Sequence, residues 1–243
     1  MSATKPKKRA ASKRQSPRYH PERLIDGEAA LAYAAARLGE LDPELIGKLV
    51  DTGGPPPLRR REPGFAGLAG IIVSQQVSVA SARAIFGRLE SRIAPLEAAT
   101  LLAADDESLR GCGLSTPKLK ALRALARAVA EDGLDLAGLA DLDAADAHAQ
   151  LIKVSGIGPW TADIFLLFCL GHPDAFPAGD LALQEAARLA LGLKTRPDTR
   201  RLERIAERWR PWRAVAARML WAFYAVAKRR EGAPMAESGG SQA

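Results

Sequence analysis

Cysteine is nearly absent: Cys112 and Cys169 are the only two in 243 residues. Two isolated thiols exclude a disulfide scaffold and cannot supply the four thiolates of an iron–sulfur cluster. Histidine is as sparse, and His20, His148 and His172 form no zinc-binding spacing with the cysteines. Long apolar runs are missing too. The longest, Ile164 to Leu170, is far short of the roughly 20 residues that cross a bilayer. The basic N-terminus has no apolar stretch behind it, so no secretory signal is expected. These absences together predict a chain without a membrane partner, in a reducing, cytoplasmic setting. Aromatic residues make up only 5% of the chain, so its four tryptophans become informative.

What is present reads as helix. Ala, Leu, Arg and Glu dominate, apolar residues recur at three and four, and no strand-length alternation stands out. Helices are predicted over 26–39, 43–50, 64–73, 76–92, 105–110, 116–131, 144–153, 159–170, 180–191, 198–208 and 211–230. Gly53, Gly54 and Pro55 to Pro57 read as a linker. Gly111-Cys112-Gly113 and Gly171-His172-Pro173 read as helix stops, Thr116 with Pro117 as an N-cap followed by N1, and Pro211 as the opening of the last helix. The ends, 1–20 and 233–243, read as disordered, the first basic and the second rich in Gly and Ser. Lys and Arg number 35 against 28 Asp and Glu, a net charge of +7. Much of that excess is Lys5, Lys7, Lys8, Arg9, Lys13 and Arg14, which suits either a phosphate-attracting arm or a merely solvated tail. The fold class expected is all-α.

Chemistry concentrates at Leu151-Ile152-Lys153-Val154-Ser155-Gly156-Ile157-Gly158-Pro159-Trp160-Thr161-Ala162. A helix ends before Ser155, a Gly-Ile-Gly turn comes next, and another helix starts at Pro159. Glycines let backbone amides approach a phosphate closely, and the helix N-terminus beyond them adds unpaired N–H groups. Such a turn grips the backbone of a nucleic acid without reading a base.

This segment closely resembles the helix-hairpin-helix of the DNA glycosylase superfamily that pairs a hairpin with a Gly-Pro-rich loop and an aspartate. Further matches occur in order: Ile71-Ile72-Val73-Ser74-Gln75-Gln76-Val77-Ser78, Gly113-Leu114-Ser115 with Lys118, Phe176-Pro177-Ala178-Gly179-Asp180-Leu181, and Pro211-Trp212-Arg213 with Trp221. The resemblance covers roughly 65–225 and implies a two-lobed helical fold with a cleft between lobes. It divides the chain into 21–65, joining the second lobe; 66–170, ending in the hairpin; and 171–232, holding the catalytic loop and closing helices.

The resemblance implies Asp180 as the catalytic carboxylate and Trp160 and Trp221 as walls of a pocket for an extruded base. It implies DNA contacts at Gln75, Gln76, Ser155, Gly156, Ile157, Gly158 and Thr161, with Gln76 filling the gap left by that base. Main-chain carbonyls near Ile152, Val154 and Ile157 would hold a structural Na+ or K+; no other cofactor is implied. Bifunctional members carry a lysine where this chain has Trp160, and an indole cannot form a Schiff base, so lyase chemistry is not expected. With the missing cysteine quartet, this points to the alkylpurine branch, of the DNA-3-methyladenine glycosylase II type. Where that branch often has a tyrosine on the hairpin's second helix, this chain has Ile164.

The chemistry fits the residue types. An N3- or N7-alkylated purine is a cation and departs readily, so the enzyme chiefly needs an anion beneath a sugar acquiring positive charge. Asp180 opens a predicted helix, where it can also act as an N-cap. A cationic base over an indole gains roughly 0.5–2 kcal/mol. The partner expected is duplex DNA with an alkylated base, bound by a monomer. Two alternatives stay open: deaminated or other neutral lesions as substrates, and a noncatalytic module that binds damaged DNA.

Overall fold

A computed structural model describes residues 24–232, the last three by backbone alone. Both terminal tails read as disordered fall outside them, and residues 21–23 of the neighbouring segment are likewise outside. Among the described residues the regular structure is entirely helical. Its α-helices are α1 (Glu28–Leu41), α2 (Pro43–Gly53), α3 (Gly64–Ser74), α4 (Val79–Arg92), α5 (Ala98–Ala103), α6 (Asp106–Gly111) and α7 (Thr116–Ala130). They continue with α8 (Ala144–Leu151), α9 (Pro159–Ile164), α10 (Leu181–Ala190), α11 (Thr199–Ala206) and α12 (Arg213–Gly232). No helix among them is long and apolar enough to cross a membrane.

Two groups of helices share one core. In the first, α3 packs on α4, α7 and α9, while α5 and α6 pack on α7 and α8 on α9. In the second, α12 is the axis against which α1, α2 and α10 pack. Helices α1 and α2 therefore close onto α12. Lys48 ties α2 to α10 by donating to the Ala190 carbonyl at 2.6 Å, a cation placed at the negative end of a helix.

Several boundaries differ from the pattern-based ones, each for a physical reason. The N-cap of α7 is Ser115, with Thr116 and Pro117 inside the first turn. Ser78 caps α4 by accepting from the Ser81 N–H at 3.2 Å, so this helix starts at Val79, not at 76. The stretch 98–103, not anticipated as helix, is a single turn and a half, too short to show periodicity. Pro211 lies in the turn before α12, which begins at Arg213. Gly53 is the last residue of α2 and not a linker residue. Beyond Ile164 the α9 backbone widens into a π-helical segment, Phe165–Leu170, closed by Gly171 in the left-handed region at φ 77°.

Candidate active site

Leu151 ends α8, and residues 152–158 turn the chain back into α9. Gly156 has φ +89°, and a Cβ there would lie 2.4 Å from the Ala121 Cβ of α7. Glycine is thus required both by the backbone conformation and by the contact. Ser155, Gly156 and Gly158 are exposed, whereas Val154 and Ile157 turn their side chains into the core. At the tip of the turn the main chain of Gly156 and Gly158 is therefore open to the outside. Gly158 is the N-cap of α9 and Pro159 its first residue, where a missing N–H costs nothing.

The loop that delivers Asp180 is buried from Gly171 to Ala178, unusual for a loop, and its polar side chains His172 and Asp174 are hydrogen-bonded. The Asp174 carboxylate accepts from Arg213 Nε at 2.7 Å and Nη2 at 2.8 Å, and from Arg210 Nη1 at 2.8 Å. Gln184 donates to the Ala178 carbonyl at 2.9 Å, and the Asp180 N–H donates to Pro177 at 2.9 Å. The loop therefore holds Asp180 at the head of α10 with little freedom.

Asp180 caps α10, its Oδ1 accepting from the Leu183 N–H at 2.8 Å. Two indoles converge on the same half-buried carboxylate. Trp160 Nε1 donates to Oδ2 at 3.0 Å, and Trp221 Nε1 donates to Oδ1 at 3.1 Å. One tryptophan comes from α9 in the first group of helices and the other from α12 in the second. The site therefore exists only where the two groups meet. Three N–H donors converge on one carboxylate and fix its orientation.

Gln76 is exposed and holds φ +56°, a left-handed conformation uncommon for a residue other than glycine. Gln75 and Thr161, both read as DNA-facing, meet each other. Gln75 Nε2 donates to Thr161 Oγ1 at 2.7 Å, and Thr161 is only 3% exposed. Lys118 Nζ donates to the Val73 carbonyl at 2.8 Å, and burial lowers its pKa. The other two tryptophans, Trp209 and Trp212, are buried in the core.

Sequence reasoning missed Phe168. Its ring stacks on Trp221, with centroids 5.8 Å apart and planes at 22°. Its signal was its position eight residues after Trp160 and four after Ile164, one stripe of a single helix. Ile164, where the alkylpurine branch often has tyrosine, is buried. The Arg218 guanidinium lies 4.7 Å from the Phe168 centroid and that of Arg61 5.9 Å. Arg218 is itself buried and donates to the carbonyls of Pro57, Leu58 and Leu167. Burial lowers its pKa to about 10, and Arg60 and Arg59 push in the same direction. Cys169 is pushed up to about 12 by burial, which makes it a packing residue and not a nucleophile. Among the described residues no group of His, Cys, Asp and Glu is arranged to hold a metal ion.

A helical fold presenting a glycine hairpin, a hydrogen-bonded carboxylate and two converging indoles defines a helix-hairpin-helix protein with a candidate site at the junction of its helix groups. The chain belongs to the HhH-GPD superfamily of base excision DNA repair proteins, whose model matches residues 69–211. It is similar to a Bacillus halodurans DNA-3-methyladenine glycosidase structure: TM-score 0.73, 28% identity, covering 85% of this chain and 93% of that one. A Schizosaccharomyces pombe 3-methyladenine DNA glycosylase in complex with abasic DNA matches with TM-score 0.64 and 29% identity, over 78% of this chain and 95% of that one. A curated Mycobacterium tuberculosis relative, named "Probable bifunctional transcriptional activator/DNA repair enzyme AlkA", is 42% identical over 111 residues. That match covers 44% of this chain and 21% of the relative.

Proposed function

We propose that this protein is a monofunctional DNA glycosylase that hydrolyses the N-glycosidic bond of alkylated purines in duplex DNA. The observation that carries the reading is Asp180, a carboxylate held by two indole N–H groups and a helix N-terminus. As the bond between the base nitrogen and C1′ breaks, its electron pair leaves with the base and positive charge grows on the sugar. Asp180 faces that charge and stabilises it. Water then bonds to C1′, and its proton passes to Asp180 or to solvent. A base that was an alkylated cation departs neutral, so no general acid is required. Trp160 stands where a Schiff-base lysine would act, which supports hydrolysis without strand cleavage. The two half-buried indoles beside the carboxylate support an extruded base as the substrate.

The hairpin supports a monovalent cation as well. Its ligands would be main-chain carbonyls of Ile152, Val154 and Ile157, hard oxygens suited to Na+ or K+. Val154 already accepts from the Ile157 N–H at 3.0 Å and keeps a second lone pair. When bound, such an ion would add positive charge at the phosphate grip. The protein acts as a monomer in the cytoplasm in this reading.

One feature favours a second substrate class. Arg61 and Arg218 place two guanidinium groups against Phe168, the ring that backs Trp221. Positive charge behind the slot works against a cationic base and favours a neutral lesion such as a deaminated purine.

The test is base release from methylated and from hypoxanthine-containing duplexes, comparing native protein with Asp180→Asn and separating free bases by chromatography. Methylpurine release by the native protein alone, with strand breaks only after alkali, is expected. Release of hypoxanthine but not methylpurines selects the neutral-lesion reading. No release from either duplex, with binding retained, leaves a damage-binding module and sinks the glycosylase.

A further inference from the structure

The left-handed Gln76 stands at the end of a short segment tied from two sides. Residues 71–73 are fully buried, and two links anchor the chain just beyond them. Lys118, from the first turn of α7, donates to the Val73 carbonyl at the C-terminus of α3. An ammonium there offsets the negative end of the helix dipole, which would otherwise face approaching phosphates. The Gln75 amide donates to Thr161 on the hairpin's second helix, one residue after Trp160. The same α7 also seats the hairpin turn, since Ala121 lies directly against Gly156. Wedge, phosphate grip and pocket wall thus share one support.

We propose that Lys118, Gln75 and Thr161 form a clamp that fixes the angle at which Gln76 enters the base stack. They are positioning residues that do not touch DNA. The inference rests on the glycosylase reading, in which a base leaves the stack and a side chain fills the gap. Weakening the clamp leaves the hairpin's hold on phosphates intact, because that hold is made by main-chain groups of 155–158. It lets Gln76 relax from its left-handed conformation, so insertion fails.

The experiment uses the full chain and a duplex carrying a tetrahydrofuran abasic-site analogue with 2-aminopurine as its 3′ neighbour. Native protein raises 2-aminopurine emission as Gln76 unstacks the neighbour, and Gln76→Ala does not. Thr161→Val, nearly isosteric but without the acceptor, and Lys118→Met each cut the rise at least fivefold. Their affinity for undamaged duplex, and its salt dependence, stay within twofold of native. Thr161→Ser and Lys118→Arg restore the rise. A native-size rise in both Thr161→Val and Lys118→Met overturns the clamp. So does a matching loss of undamaged-duplex affinity, which would make these residues phosphate contacts. Thermal melts show that each variant is folded. If native protein binds the abasic duplex with no emission rise while still releasing base, insertion by Gln76 is wrong but the glycosylase stands. If it releases no base, the glycosylase reading falls independently of the clamp.

Discussion

At the scale of single residues, the carboxylate of Asp180 is set by the groups that donate to it. Removing one indole N–H while keeping a ring isolates that contribution. Trp160→Phe should lower the rate of base release about 10- to 100-fold, the range expected for losing one hydrogen bond to a charged group. KM should change little, because a phenyl ring still offers a stacking face; single-turnover rates over a range of enzyme concentration make the separation. Trp221→Phe should behave alike, since its N–H serves the other carboxylate oxygen. Through motif order the sequence pointed to Asp180 and both tryptophans, which the structure brings together. It did not reveal that the indoles point edge-on at the carboxylate, because that depends on the rotation of α9 against α12. It hid the pairing of Gln75 with Thr161 in the same way, as two polar side chains far apart in the chain that turn toward each other.

Among elements, the hairpin depends on the helices behind it. A cavity of about 310 Å³ lined by His148, Asp163, Asp174, Glu203 and Arg213 opens between α8, α9, α11 and α12. Burial pushes Asp163 up to about 8; Arg213 opposes the shift and Glu203 adds to it. Burial also lowers His148, whose Nε2 lies 3.7 Å from Asp163. At neutral pH the two are therefore a protonated acid beside a neutral imidazole, and not an ion pair. Asp163 holds a proton in the folded state across a window, from its ordinary value near 3.8 up to about 8, in which the unfolded chain has released it. The folded state binds more protons there, so stability falls as pH rises through that window and levels off above it. Asp163→Asn removes this slope. Its melting temperature should fall less than that of native protein between pH 5 and pH 8, by about 2–4 °C for each kcal/mol recovered. Calorimetric scans at the two pH values check it. An acid inside an apolar helix run is visible in the sequence; its partners on three other helices are not.

For the whole molecule, the site requires both groups of helices to be packed, and within the second group Gly53 lets α2 lie close against α12. A Cβ at Gly53 would lie 2.6 Å from the Phe223 nitrogen and 2.9 Å from its Cα, backbone of α12 that cannot move aside. Gly53→Ala should therefore cost about 1–3 kcal/mol by overpacking, lowering the melting temperature by roughly 2–4 °C per kcal/mol. A melt of the variant equal to native would show that α2 has room to shift. Helical periodicity and the hairpin were legible along the chain because both are local. The helix-to-helix role of Gly53 was not, because beside Gly54 and three prolines it has the composition of a linker. The π-helical widening at Phe165–Leu170 was hidden for another reason: the same apolar letters fit an α-helix equally well.

The convergence of indoles on carboxylates has an optical consequence. Of the four tryptophans, Trp160 and Trp221 report on Asp180, and Trp209 donates to Asp42 at 2.9 Å in a site remote in sequence from it. Only Trp212, buried edge-on to Tyr33, lacks a carboxylate partner among the described residues. Indole emission responds to the electrostatic field along its N–H axis, so half of the protein's tryptophans look directly at the Asp180 carboxylate. A change in the charge of Asp180, or in what faces it, should therefore shift the emission of the native protein, and no dye need be attached to see it.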